Sequence, residues 1–444
     1  MSKISRRNFL FTASATTAAT LIINGCSSKS TSDNAATTGS SGSSPAPSPV
    51  AAADTPEVTT AKLGFIALTD SAPLIIAKEK GLFAKYGMPD VEVSKQASWA
   101  VTRDNLELGS GSGGIDGAHI LTPMPYLMTA GTITKGNAKV PMNILARLNV
   151  NGQGISLSEA YTDLKVGADS SPLKTVFAKG KSEGKEMKCA VTFPGGTHDL
   201  WMRYWLAAGG IDPDKDVSTI VVPPPQMVAN IKVNNMEAFC VGEPWNAQTV
   251  NQKIGYSAVT TGELWKDHPE KALAMRADWV EQNPNAAKAI TMAVQEAQIW
   301  CDDPANKAEM CQIVSGRQWF KVPVEDILER SKGNFDLGNG RTLQNSDLLM
   351  KFWNDDASYP FQSHDLWFLT EDIRWGYLPG DTDTKALIAA VNREDIWREA
   401  AKAIGQEAAI PKGTSRGVET FFDGVKFDPE NPEAYLKSLS IKKA

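Results

Sequence analysis

Two hydrophobic rhythms alternate along this chain. Short apolar runs with β-branched residues predict strands near residues 62–68, 91–94, 115–120, 142–150, 189–193, 219–222, 237–241 and 256–259. Between them lie stretches with helical spacing. Residues 73–86 are amphipathic and end at Gly87. Trp201, Tyr204, Trp205 and Ala208 share one face and are closed by Gly209 and Gly210. A helix begins at the proline-rich 223–226 stretch. Asn283 and Pro284 open another that carries Ile290, Val294, Ala297 and Trp300, and residues 363–376 form a further amphipathic helix. This alternation predicts an α/β protein whose parallel or mixed sheet has helices on both faces. In such sheets ligands sit at the carboxyl ends of the strands.

The stretch 190–210 organises the rest. A buried strand runs into Pro194-Gly-Gly, and a helix starts with Thr197 as its expected cap and His198 in its first turn. Unpaired N–H groups and the helix dipole make that end suitable for an anion, although a solvated helix end has the same pattern. Three other places bear on a site. Trp99 follows a strand end, either packing on the surface or walling a pocket with its ring and indole N–H. Asn151-Gly-Gln-Gly154 is a polar break suited to a crossover into a second lobe, with Gln153 at the cleft mouth. Lys266 stands in a loop beside Trp265 and His268, where a lysine is most often solvated. The glycine-rich 109–114 stretch has the wrong spacing for a dinucleotide fingerprint and predicts a turn.

The amino terminus reads differently. Ser-Arg-Arg-Asn-Phe-Leu10 and the apolar run that follows resemble a twin-arginine export signal, too short to span a membrane comfortably. Leu-Ile-Ile-Asn-Gly-Cys26 resembles a lipoprotein box, with Cys26 as the lipid-bearing residue. Residues from 27 to about 56 are Ser, Thr, Ala, Gly and Pro with few large apolar side chains, the composition of a flexible tether. The expected organisation is a signal over 1–25, a tether over 26–59, the first lobe over 60–150, the second over 151–262, and a return to the first lobe over 263–444.

Composition narrows the function. The chain has 444 residues, is 42% hydrophobic and 22% charged, and carries a formal net charge of −6, so it is globular and unsuited to a nucleic-acid partner. Any anion must be held by local donors against an overall repulsive field. Cys189 and Cys240 lie in apolar runs and are expected to be buried thiols. Whether Cys301 and Cys311 pair stays open. The four histidines, His119, His198, His268 and His364, show no metal spacing, and His364 is expected to pack or cap. Serine-hydrolase, phosphate-loop and zinc-protease motifs are missing from the sequence. An exported, tethered α/β chain without catalytic apparatus is most simply a solute receptor. An enzyme or a structural surface lipoprotein are the other classes.

The leader, the lipobox and five motifs together resemble the cyanobacterial nitrate-binding lipoproteins of ABC uptake transporters. The motifs are Ser-Lys-Gln-Ala-Ser-Trp99, Thr-Phe-Pro-Gly-Gly-Thr-His-Asp-Leu-Trp201, Val-Gly-Glu-Pro-Trp245, Leu-Trp-Lys-Asp-His-Pro269 and Ser-Arg-Gly-Val-Glu-Thr-Phe-Phe-Asp423. The bicarbonate-binding lipoproteins are a sister group sharing most of them. The resemblance implies a two-lobed periplasmic solute-binding fold of type II, each lobe a mixed sheet flanked by helices. It further implies nitrate, and nitrite as well, held between the lobes by Trp99, Gln153, His198 and Lys266, with no cofactor, metal or catalytic residue. The implied partners are a permease and an ATPase; the expected location is the periplasmic face of the inner membrane, as a lipid-anchored monomer. Nitrate accepts hydrogen bonds and donates none, so its site should consist of donors. Bicarbonate has a hydroxyl that needs an acceptor, for which Glu243 is the nearby candidate. Thiamine-precursor synthases share the broad fold and carry a cysteine-rich motif missing from this sequence.

Overall fold

The computed structural model describes residues 54–443; the leader, Cys26 and most of the tether lie outside the described residues. Among these residues are two five-stranded mixed sheets of parallel design. The first has the order β2-β1-β3-β10-β4, built from β1 (Lys62–Phe65), β2 (Glu92–Lys95), β3 (Gly117–Leu121), β4 (Met142–Arg147) and β10 (Lys271–Arg276). The second has the order β7-β6-β8-β5-β9, from β5 (Gln153–Ser158), β6 (Lys188–Val191), β7 (Ser218–Val221), β8 (Ala238–Gly242) and β9 (Gly255–Thr260). In each sheet one strand runs against its neighbours: β10 is antiparallel to β3 and β4, and β5 to β8 and β9. Both reversed strands are those by which the chain enters a sheet from the other one.

Reversal decides what reaches the cleft. Along parallel strands the carboxyl ends face it. A reversed strand presents its first residue there instead. Lys271, first in β10, pairs with Leu121, last in β3, and Gln153, first in β5, pairs with Gly242, last in β8.

The two crossovers run side by side. The Asn151 N–H donates to the His268 carbonyl at 2.8 Å, and the Leu148 N–H to the Lys271 carbonyl at 2.8 Å. A third pass joins them, since Val150 and Lys351 exchange backbone bonds of 2.9 and 3.2 Å.

Most helices lie where the periodicity places them, with instructive shifts. The 73–86 helix is broken at Gly81, whose φ of 69° splits it into Ala72–Glu79 and Leu82–Lys85. Residues 54–57 are docked rather than tethered: Glu57 accepts from the N–H groups of Asn285 and Ala286 at 3.0 Å each, at the start of the Pro284–Asp302 helix. The segment after residue 263 does not return to the first lobe alone. Trp367, Trp375, Phe421, Phe427 and Tyr435 join the core of the second sheet, where Trp367 and Phe421 pack their rings on Trp201 and Tyr204. Cys301 and Cys311 are buried free thiols.

Candidate functional site

The lobes meet on a buried polar cluster. From the first lobe, the turn after β1 supplies Asp70, β3 supplies His119, and β10 with the residue before it supplies Lys271 and Glu270; all four are fully buried. The His119 Nδ1 accepts from the Ile66 N–H at 3.4 Å, which places its proton on Nε2, 2.5 Å from Asp70 Oδ1. The other Asp70 oxygen lies 2.9 Å from Lys271 Nζ. Lys271 also pairs with Glu270 and sits 5.8 Å from the centre of the Trp99 ring. One ammonium thus stands between two carboxylates, each a partner that a buried charge requires.

The second lobe supplies donors. Gly196, not Thr197, is the cap of the Thr197–Ala208 helix. Thr197 instead turns its hydroxyl across the seam and donates to Glu270 Oε1 at 2.9 Å. His198 Nε2 is 3.2 Å from the same oxygen, and its Nδ1 pairs with Thr192. A carboxylate only accepts, so the proton of His198 faces Glu270. Burial, then the Lys271 charge, pulls the His198 pKa down and keeps the ring neutral at neutral pH. Burial likewise lowers His119. Burial would raise Glu270, but the Lys271 charge and the His198 bond overcome it and hold its carboxyl well below the usual range.

Three buried groups at this seam have unused capacity among the described residues. Trp99 opens the Trp99–Leu108 helix behind a Ser98 cap, fully buried, and its indole N–H has no acceptor. Its ring lies 5.3 Å from that of His119. The Gln153 side chain has neither its NH₂ nor its carbonyl paired, and the Thr69 hydroxyl is unpaired. Leaving such groups unmatched costs about 1–3 kcal/mol each, which a solute would recover. The lobes approach closely here: a Cβ on Gly242 would lie 3.0 Å from Asp70 Oδ2, so a larger residue would push against that carboxylate.

Of the four residues expected at the site, Trp99, Gln153 and His198 lie on this seam. Lys266 does not. Its ammonium is 2.7 Å from Asp347 Oδ2, and its side chain is 62% exposed. The buried ammonium at the seam is that of Lys271. Proximity to Trp265 and His268 drew attention to Lys266; the available signal was a lysine heading the apolar run Lys-Ala-Leu-Ala-Met275, where a charge must be paired or functional. Glu243 is not a free acceptor: its carboxylate is held by Arg330 and by the Ala247 N–H at 3.1 Å. His364 is packed, as expected.

The sequence matches the NMT1-like family over residues 54–315. It is 66% identical over 443 residues to the nitrate/nitrite binding protein NrtA of Synechocystis sp., covering 99% of this chain and 98% of that one. The crystal structure of the periplasmic nitrate-binding protein NrtA from Synechocystis PCC 6803 matches with a TM-score of 0.85 at 70% identity, covering 87% of this chain and 100% of that one. Identity to the bicarbonate-binding protein CmpA of Synechococcus elongatus is 45% over 452 residues, 99% of each chain. To the nitrate import ATP-binding protein NrtC of Synechocystis it is 34% over 379 residues, 85% of this chain and 55% of that one. The chain belongs to the NMT1-like family and, by these identities, to the cyanobacterial nitrate-binding proteins of ABC uptake transporters.

Proposed function

We propose that this protein is the extracytoplasmic solute-binding component of an ABC importer and captures nitrate, and nitrite, between its lobes. The observation that carries the reading is the seam itself: the unpaired Trp99 N–H, Gln153 amide and Thr69 hydroxyl beside Lys271 and His198. Those groups supply N–H and O–H donors from both walls and one cation, which suits a planar anion that only accepts. Trp99, Gln153, His198 and Lys271 are the contacts proposed for the anion.

Binding both walls at once favours the closed arrangement, so solute capture and lobe closure are one equilibrium. Delivery to a permease and its ATPase follows from that role. Cys26 is proposed to carry a lipid that holds the protein, as a monomer, at the periplasmic face of the membrane. No catalytic step is assigned to the chain.

Calorimetric titration of the full chain with nitrate, nitrite, sulfate, and bicarbonate with and without calcium tests the reading. Tight, saturable binding of nitrate with weak bicarbonate binding is expected. Bicarbonate binding tighter than nitrate would overturn it. Bicarbonate keeps one point in its favour, the unpaired Gln153 carbonyl, which could accept from its hydroxyl.

A further inference from the structure

Three donors converge on the Glu270 carboxylate. Thr197 Oγ1 is 2.9 Å from Oε1, His198 Nε2 is 3.2 Å from the same oxygen, and Lys271 Nζ is bonded to Oε2. Thr197 and His198 come from the second lobe; Glu270 sits in the crossover, its own N–H donating to the Asn149 carbonyl at 3.2 Å. A carboxylate and a nitrate are both flat, singly charged and rich in acceptors. Two of the donors proposed for the solute, His198 and Lys271, are therefore already bonded to an anion that belongs to the protein.

We infer that Glu270 is an internal competitor for the anion site. Its carboxylate binds the donors of both lobes, and a solute must share or displace it. This inference rests on the nitrate reading and deepens it by naming the residue that sets the affinity. Glu270 acts in two ways. It occupies hydrogen-bond donors, and it contributes a negative charge that, with Asp70, outweighs the single ammonium of Lys271. His119 and His198 are neutral and do not redress that balance. An incoming anion therefore meets a cluster with an excess of negative charge.

The two contributions separate by mutation. Glu270→Gln keeps the size and one acceptor oxygen and removes the charge. Asp70→Asn removes a charge from the same ammonium but touches neither Thr197 nor His198. Titration calorimetry of the full-length chain with potassium nitrate at constant ionic strength, with melting temperature checked for each variant, gives the comparison. The expected result is nitrate affinity raised about tenfold or more in E270Q, equivalent to about 1.4 kcal/mol, and by clearly less in D70N. Equal gains in the two variants would overturn the competition and leave only a field effect. Unchanged or weaker binding in a folded E270Q overturns it outright. Should E270Q not fold, Glu270→Asp, which keeps the charge but draws the carboxylate one methylene back from Thr197 and His198, decides by the same ratio. The wild-type titration reports separately on the nitrate reading. Binding by E270Q alone would support the competition, and binding by neither protein would reject both.

Discussion

Two neighbouring regions use the same side chains to opposite ends. At the seam, Trp99 lies against His119, and its indole N–H is unpaired. Further along the Thr197–Ala208 helix, Trp201 packs with Trp265, Trp367, His268 and Phe421, ring centres 5.0 to 6.3 Å apart. Each indole there has a partner. Trp201 donates to His268, Trp265 to Glu419 Oε2 at 2.9 Å, and Trp367 to the Tyr435 hydroxyl at 3.2 Å. Burial is complete in both places, so burial does not separate a structural aromatic from a binding one. For the indoles the fate of the N–H does: those of Trp201, Trp265 and Trp367 are satisfied by the fold, and that of Trp99 is left unpaired, as expected of a residue that serves a ligand.

The comparison breaks most readily at Lys271. Lys271→Met should cut nitrate affinity by roughly 100-fold or more, about 3 kcal/mol. It should also lower stability, because Asp70 and Glu270 lose their shared cation. Affinity retained within threefold by calorimetry would remove the ammonium from the site.

In the aromatic region the effect should fall on stability alone. Trp367→Ala is expected to cost about 3–5 kcal/mol in denaturant unfolding through its cavity, with nitrate affinity in the folded variant changed less than threefold. Glu419 gives a pH test of the same region. Burial pushes its carboxyl up, but the His364 ring 3.7 Å away and the Arg416 hydrogen bond and charge hold it at about 2, below the ordinary 4.5. A depressed carboxyl contributes in full above its unfolded pKa and loses that contribution as pH falls through the folded one. Glu419→Gln should therefore destabilise by about 2 kcal/mol at pH 7, and its melting temperature should converge with wild type as pH drops from 4.5 towards 2. A gap independent of pH would mean that packing, not charge, holds the residue.

Smaller changes sharpen the contrast. Trp99→Phe removes one N–H and keeps most of the ring. About a tenfold loss of nitrate affinity with a nearly constant melting temperature is expected; a large thermal shift with unchanged affinity would class Trp99 with Trp201. Lys266→Ala should do almost nothing to either quantity, since an exposed ion pair contributes about 0–1 kcal/mol.

These outcomes show what the sequence made legible. The strand-helix rhythm located most elements, and the Pro-Gly-Gly turn gave the helix start that brings His198 to the seam. Periodicity carries no information on strand direction, however, and direction is what delivers Lys271 to the cleft. Local text favoured Lys266, which sits among aromatic neighbours in the chain and points to solvent in space. Glu270 and Asp70 were invisible for a related reason. Their importance arises from partners 73 positions away for Thr197 and 49 for His119, and no spacing rule links such pairs. The aromatic segment after residue 360 shows a helix over 363–376 in the sequence, but nothing there says which lobe it joins. Its attachment to the second sheet follows from ring-on-ring contacts that only the folded chain creates.

The braid at Val150, where three passes of backbone lie side by side, has a mechanical meaning. Antiparallel segments cross-linked by backbone hydrogen bonds bend together about a shared axis more readily than they slide past one another. Such bracing favours a nodding hinge between the lobes over shear. A hinge of that kind would return the indole of one lobe and the carboxamide of the other to the same places at every closure, a constancy that sliding lobes would lack.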